Sequence, residues 1–108
     1  MIIPKKFKLL KKTIAVKYDK NLVSKKKCYG MTWFHKNKII LQPLGNGSGQ
    51  TKRRMEITFL HELIHRICYY TSPIIQHKMG DDHLYLNEQF VEFFTSLLHE
   101  ALTTAEYK

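Results

Sequence analysis

No stretch of this sequence approaches the roughly 20 consecutive apolar residues of a membrane-spanning helix, so no membrane partner is expected. Cysteine is scarce. Cys28 and Cys68 stand far apart and outside any C-x-x-C spacing, which gives no sign of a disulfide framework and leaves two reduced, partly buried thiols as the expectation. The start, Met1-Ile2-Ile3-Pro4-Lys5-Lys6, lacks the apolar core and small-residue cleavage site of a signal peptide, so a cytoplasmic location is expected. No internal repeat is visible. The glycine-rich run Gly45-Asn46-Gly47-Ser48-Gly49 lacks the Lys-Ser/Thr ending of a phosphate-cradling loop, which argues against nucleotide binding.

Negative charge is also scarce in the first half, where lysines crowd and only later give way to acids. The chain carries 18 Lys+Arg against 9 Asp+Glu, a net charge of +9. Such a balance fits attraction to nucleic acid or an acidic protein, and it equally fits a solvated lysine-rich surface. Few arginines alternate with aromatics, so reading of base edges is poorly supported.

At 108 residues, 44% of them hydrophobic, the chain suits one domain spanning residues 1–108. The first half reads as strands. Residues 7–10 and 13–18 form one pair around a Lys11-Lys12 turn, with Ile14, Val16 and Tyr18 alternating against polar or small neighbours. Residues 29–34 and 38–42 form a second pair around His35-Lys36-Asn37, with Pro43 ending that strand or placing it at an edge. The second half reads as two helices. The first runs from Thr51, a capping residue, to Tyr70 and is stopped by Ser72-Pro73. Lys52, Arg53 and Arg54 in its first turn oppose the helix dipole, which favours acids there. The second runs from Asn87 to Thr104, with Phe90, Phe93, Phe94, Leu97, Leu98, Ala101 and Leu102 as the stripe expected to pack. Four strands in two hairpins, then two helices, make an α+β domain.

The first helix carries the chemistry. His61-Glu62-Leu63-Ile64-His65 is an H-E-x-x-H pentad inside an apolar stretch. Residues four apart share a helix face, so both histidines can hold one metal ion. Glu62, turned about 100° from His61, is offset to take a proton from water beside that metal. Three polar groups in an apolar helix would be costly unless paired or ligated.

A catalytic zinc site wants a third protein ligand. Extension to H-E-x-x-H-x-x-G-x-x-H is ruled out, because Cys68 and Thr71 occupy the Gly and last His positions. Glu88 and Glu92 share one face of the second helix. Glu88 would complete the ligand set, and Glu92 would accept a hydrogen bond from a ring nitrogen of His61 or His65. His77, Asp82 and His83 are the remaining choices for third ligand. His99 lies about 16 Å along the helix from Glu88 and is too far to share the metal. Tyr85, His83 and Tyr69 are candidates to stabilise an oxyanion.

His61-Glu62-x-x-His65 followed by Asn87-Glu88-x-x-x-Glu92 resembles the gluzincin pattern of thermolysin-like zinc peptidases. The small size and preceding strands resemble minimal gluzincins, including small phage- and prophage-encoded predicted metallopeptidases. The likeness spans residues 7–102. It implies a zincin-like domain, a protein or peptide substrate, and residues 39–42 as the sheet edge that takes an extended peptide beside the metal. The larger second lobe of the family is absent, as is an obvious match to its downstream His or Tyr. The expected function is a zinc endopeptidase. A histidine third ligand would point instead to the SprT-like class acting on DNA-bound proteins. A basic nucleic-acid- or protein-binding module with a silent metal site is the other alternative.

Overall fold

The computed structural model of the chain describes residues 1–33, 35–45, 50–79 and 88–106, with 71–79 as backbone. In chain order the elements are β1 (Lys6–Leu9), β2 (Lys12–Tyr18), α1 (Leu22–Lys26), β3 (Gly30–Trp33), β4 (Lys38–Leu41), α2 (Lys52–Met79) and α3 (Glu88–Thr104). The fold is α+β, as expected, with α2 and α3 packed behind the sheet.

β1 and β2 pair antiparallel with Leu9 opposite Lys12, which leaves two residues in the turn. Those residues are Leu10 and Lys11, one position earlier than expected, with φ of 51° and 66°. Two left-handed residues suit a hairpin turn because their twist matches that of the strands. The second hairpin, β3–β4, also forms. The two hairpins join through a parallel β2–β4 pair, giving the order β1-β2-β4-β3. β4 is therefore an inner strand, and the expectation that residues 39–42 form the sheet edge is corrected: the edge strands are β1 and β3, and β3 is the one beside Glu62. The parallel pairing of β2 with β4 puts a strand on each side of Ile39-Ile40-Leu41.

Ile14, Val16, Ile39 and Leu41 point to one face, where they close over Phe59 and Leu60 of α2. Each such side chain contributes about 1.5–3 kcal/mol by leaving water. Phe7 meets Phe59 edge to face, ring centres 6.1 Å apart. Gln42, just past β4, anchors the β2–β3 connection. Its side chain accepts from the Val23 N–H and donates to the Lys20 carbonyl, both at 2.9 Å.

Thr51 caps α2 as expected, its hydroxyl accepting from the Arg54 N–H at 3.1 Å. The helix does not stop at Ser72-Pro73; it continues to Met79. Proline withdraws one backbone donor and crowds the carbonyl four residues back, a cost of about 3 kcal/mol. A helix already packed along its first half carries that cost, and no second breaker follows before Gly80.

Arg66 of α2 is fully buried. Its guanidinium donates to Thr32 Oγ1 (3.2 Å), the Trp33 carbonyl (2.6 Å) and the Tyr70 hydroxyl (2.9 Å). It thereby ties β3 to the middle of α2.

α3 is rotated from the expected packing. Val91, Thr95 and His99 are buried against α2, whereas Phe93 is 70% and Leu97 52% exposed. Of the expected stripe, Leu98 and Phe90 do pack, against Ile64, Cys68 and Val91. Polar partners set this rotation: Glu88 reaches His61 and His65, and His99 reaches Glu56. At 100° per residue those two contacts bring the Val91–Thr95 side inward and turn Phe93 and Leu97 away.

The buried pair is His99 Nε2 and Glu56 Oε1 at 2.9 Å. That hydrogen bond holds the Glu56 carboxyl below its ordinary value of 4.5, against the opposing effect of burial. A depressed carboxylate stabilises the fold above its unfolded-state pKa and loses that contribution as pH falls through the folded value. Glu56→Gln is thus expected to unfold at lower urea than wild type at pH 7, with the gap narrowing as pH drops below about 4.5. A gap that stays constant with pH would show that the carboxylate charge is not what stabilises.

Candidate metal centre

His61 and His65 stand one turn apart on α2, their ring centres 4.7 Å from each other and their Nε2 atoms 3.1 Å apart. Glu88, in the first turn of α3, bridges them. Its Oε2 lies 3.2 Å from His61 Nε2 and its Oε1 2.7 Å from His65 Nε2. These three residues offer one ligand atom each to a common point.

The arrangement fits a small divalent cation. Zinc–nitrogen bonds of about 2.0–2.1 Å in a tetrahedron place neighbouring donors roughly 3.3 Å apart. The observed donor separations run from 2.7 to 3.2 Å. Two imidazole nitrogens facing each other can share at most one proton, so a cation between them resolves their repulsion. Burial disfavours the charged form of His61, and nearby His65 acts the same way, against the pull of Glu88. The neutral ring is the form with a lone pair for metal.

Glu62 follows His61 on the helix, lines the same cavity and is buried, 9% exposed. Burial pushes its carboxyl up to about 7; Glu88 adds to the rise, while His65 and the Thr32 backbone N–H pull it down. A carboxyl so raised is poised to exchange a proton near neutral pH. The Thr32 contact ties Glu62 to the edge strand. Gly30 permits that closeness: a Cβ there would lie 2.5 Å from Thr58 Cγ2 and 3.3 Å from Glu62 Cγ.

A cavity of about 440 Å³ opens between the start of β3, α2 and α3, with His61, Glu62 and Glu92 on its walls. Arg54 also lines it, its guanidinium 4.9 Å from the Tyr29 ring centre. Here the basic first turn of α2 finds a partner. Thr95 lines the cavity too, and its hydroxyl is buried and without a hydrogen-bond partner among the described residues.

Of the residues named from the sequence, His61, His65 and Glu88 come together as expected, with Glu62 alongside. Glu92 lies at the cavity beside His61, near enough to favour its charged form, but among the described residues no hydrogen bond joins it to either histidine. The α3 rotation that seats Glu88 leaves Glu92 on the exposed flank. Tyr69 meets Tyr70 edge on at 5.7 Å and is not part of the cavity wall. His77, Asp82, His83 and Tyr85 lie outside the residues whose side chains are described. His99 is engaged with Glu56, away from the ligand set.

Sequence reading missed Cys28, Tyr29, Arg54 and Thr95 as cavity residues. Only Arg54 left a trace, by its unfavourable place at a helix start. The others reach the site through strand–helix contacts between residues distant in sequence. No protein-family model, curated protein or solved structure matches the chain.

Proposed function

We propose that this chain is a zinc-dependent endopeptidase, with His61, His65 and Glu88 as zinc ligands and Glu62 as general base. One observation carries the reading: ligand atoms of His61, His65 and Glu88 converge at 2.7–3.2 Å beside a buried carboxyl whose pKa burial raises to about 7. A purely structural site has no use for that carboxyl. The glutamate ligand set favours the gluzincin-like reading over the SprT-like one, which would need a histidine third ligand.

Bound there, zinc would lower the pKa of a water and polarise the scissile carbonyl. Glu62 would take the proton from the attacking water as its oxygen joins the carbonyl carbon, then pass that proton to the amine nitrogen as the C–N bond breaks. The Thr32 N–H, bonded to the Glu62 carboxyl, would hold it in place through this exchange. An extended substrate would lie along the free side of β3, adding backbone hydrogen bonds to the sheet edge. One substrate side chain would enter the cavity, where Arg54, Thr95 and Glu92 offer charge and hydrogen bonds.

The test is metal binding and cleavage on one preparation. One zinc per chain is expected, with cleavage of an unfolded protein such as casein abolished by a chelator and restored by zinc. Glu88→Ala should weaken zinc binding by at least about 100-fold, since even outer partners of metal ligands are worth 10–100-fold. A fully zinc-loaded protein that cuts nothing in a degenerate peptide library would overturn the peptidase reading and leave only the metal site.

A further inference from the structure

The sheet has a second face, turned away from α2, and its composition follows from the register. Lys6 pairs with Ala15, Ala15 with Lys38, and Lys38 with Trp33, so these four form one row across all four strands. Lys17, Ile40 and Met31 form the next row, and Lys8 with Thr13 the row before. Lys6, Lys8 and Lys17 are exposed; Lys38, Ile40, Met31 and Trp33 are half-buried. Lys36, from the β3–β4 turn, joins them with its ammonium 4.8 Å from the Trp33 ring centre, as does Lys38 at the same distance. With strands about 4.8 Å apart, the rows extend about 14 Å from β1 to β3.

No acid occurs in any of the four strands. Five lysines thus share one face with an apolar strip of Trp33, Met31 and Ile40, and the strands that build the face bring no carboxylate to offset them. The Trp33 indole N–H is buried and has no acceptor among the described residues. An arriving acceptor would supply what it lacks once the flexible lysine stems part.

We infer that this outer sheet face binds single-stranded nucleic acid, with Lys6, Lys8, Lys17, Lys36 and Lys38 on the phosphates and Trp33, Met31 and Ile40 against the bases. Charge complementarity selects a polyanion. The flat apolar strip selects a strand whose base planes are uncovered, because every base has a face to lay on an aromatic or aliphatic surface. A duplex hides those planes, and an anionic lipid surface would engage the lysines and have no planar group for Trp33. The inference stands apart from the peptidase reading, since the metal centre lies on the opposite side of the sheet.

Trp33 is the one tryptophan in the sequence, so its fluorescence reports this face directly. A 20-nucleotide oligo-deoxythymidine is expected to quench it. Binding should weaken with salt at a slope of about −3.5 in log K against log salt, from about five neutralised phosphates. The quadruple variant K6Q/K8Q/K17Q/K38Q should lower the slope to about −0.7 and weaken low-salt binding by more than about tenfold. The variant K25Q/K26Q/K27Q, altered elsewhere, should bind within about threefold of wild type. Circular dichroism checks that each variant is folded. If the quadruple variant does not fold, single Lys→Gln variants on the face should each lower the slope by about 0.7. The inference is overturned by absence of quenching, by equal loss in both multiple variants, by face variants that leave the slope unchanged, by equal affinity for a mixed-sequence duplex, or by phosphatidylserine vesicles that displace the oligonucleotide.

Discussion

Glu62→Gln is expected to keep its zinc and lose about 10²–10⁴ in kcat, the usual contribution of a positioned general base. Glutamine matches glutamate in shape, and its carbonyl oxygen can still accept the Thr32 N–H that steadies Glu62. It cannot take a proton from water at neutral pH. The proposed ligand atoms belong to His61, His65 and Glu88, so metal content should be unchanged. A second consequence separates this variant from a simple folding defect. Burial raises the Glu62 carboxyl from 4.5 to about 7. A carboxyl raised on folding costs stability as pH climbs above its unfolded value, with the full cost reached above the folded one. The metal-free Glu62→Gln protein should therefore be at least as stable as wild type at pH 8, and the advantage should vanish near pH 4. Single-turnover cleavage, zinc content by mass spectrometry and urea midpoints at the two pH values check all three expectations. Equal cleavage by the variant and the wild type would remove Glu62 from the mechanism.

Arg66→Ala is expected to destabilise the fold by about 3 kcal/mol or more, the scale for removing one partner of a buried charged network. The side chain is fully buried and donates to three groups on β3 and α2. Its loss strands the Thr32 hydroxyl, leaves the Trp33 carbonyl with only the Lys36 N–H, and opens a void beside Tyr70. Arg66→Lys should recover only a minor part, because one ammonium cannot span three acceptors held by a planar fork. The effect should reach the metal centre as well. Thr32 contacts both Arg66 and Glu62, so loosening β3 releases the base from its anchor. Urea unfolding gives the first number, and kcat measured well below the unfolding midpoint gives the second. A loss under about 1 kcal/mol would mean that the strand is held by its β4 pairing and by packing alone.

Both residues show how unevenly the sequence discloses the molecule. The place of Glu62 beside His61 and His65 was legible because it rests on a short spacing that a helix converts directly into geometry. Thr51 as the helix cap, the alternation of Ile14 and Val16, and the pairing of each hairpin were legible for the same reason: local chain geometry enforces them. Glu88 could be anticipated because two short periodic patterns had to pack against each other. Arg66 gave no signal, since an arginine beside His65 reads as surface until β3 is placed over it.

Errors arose where a residue's role depends on a distant partner. Pro73 is a helix stop by local rules, yet α2 runs past it. The Phe93 and Leu97 stripe looked like the packing face of α3, but contacts of Glu88 and His99 with α2 turn it outward. The β4 edge was misjudged because parallel pairing with β2 joins segments separated by α1 and β3.

The sequence by itself determined the pentad, its helix, the third-ligand candidate and the basic character of the first half. Those follow from spacing and composition, which short-range geometry translates into structure. Only the tertiary structure decided that β3 is the edge strand beside the site, that Arg66 clamps it near Glu62, and that five lysines and Trp33 share one face. The cause is register: a lysine's face depends on which strand lies next to its own, and long-range pairing sets that choice.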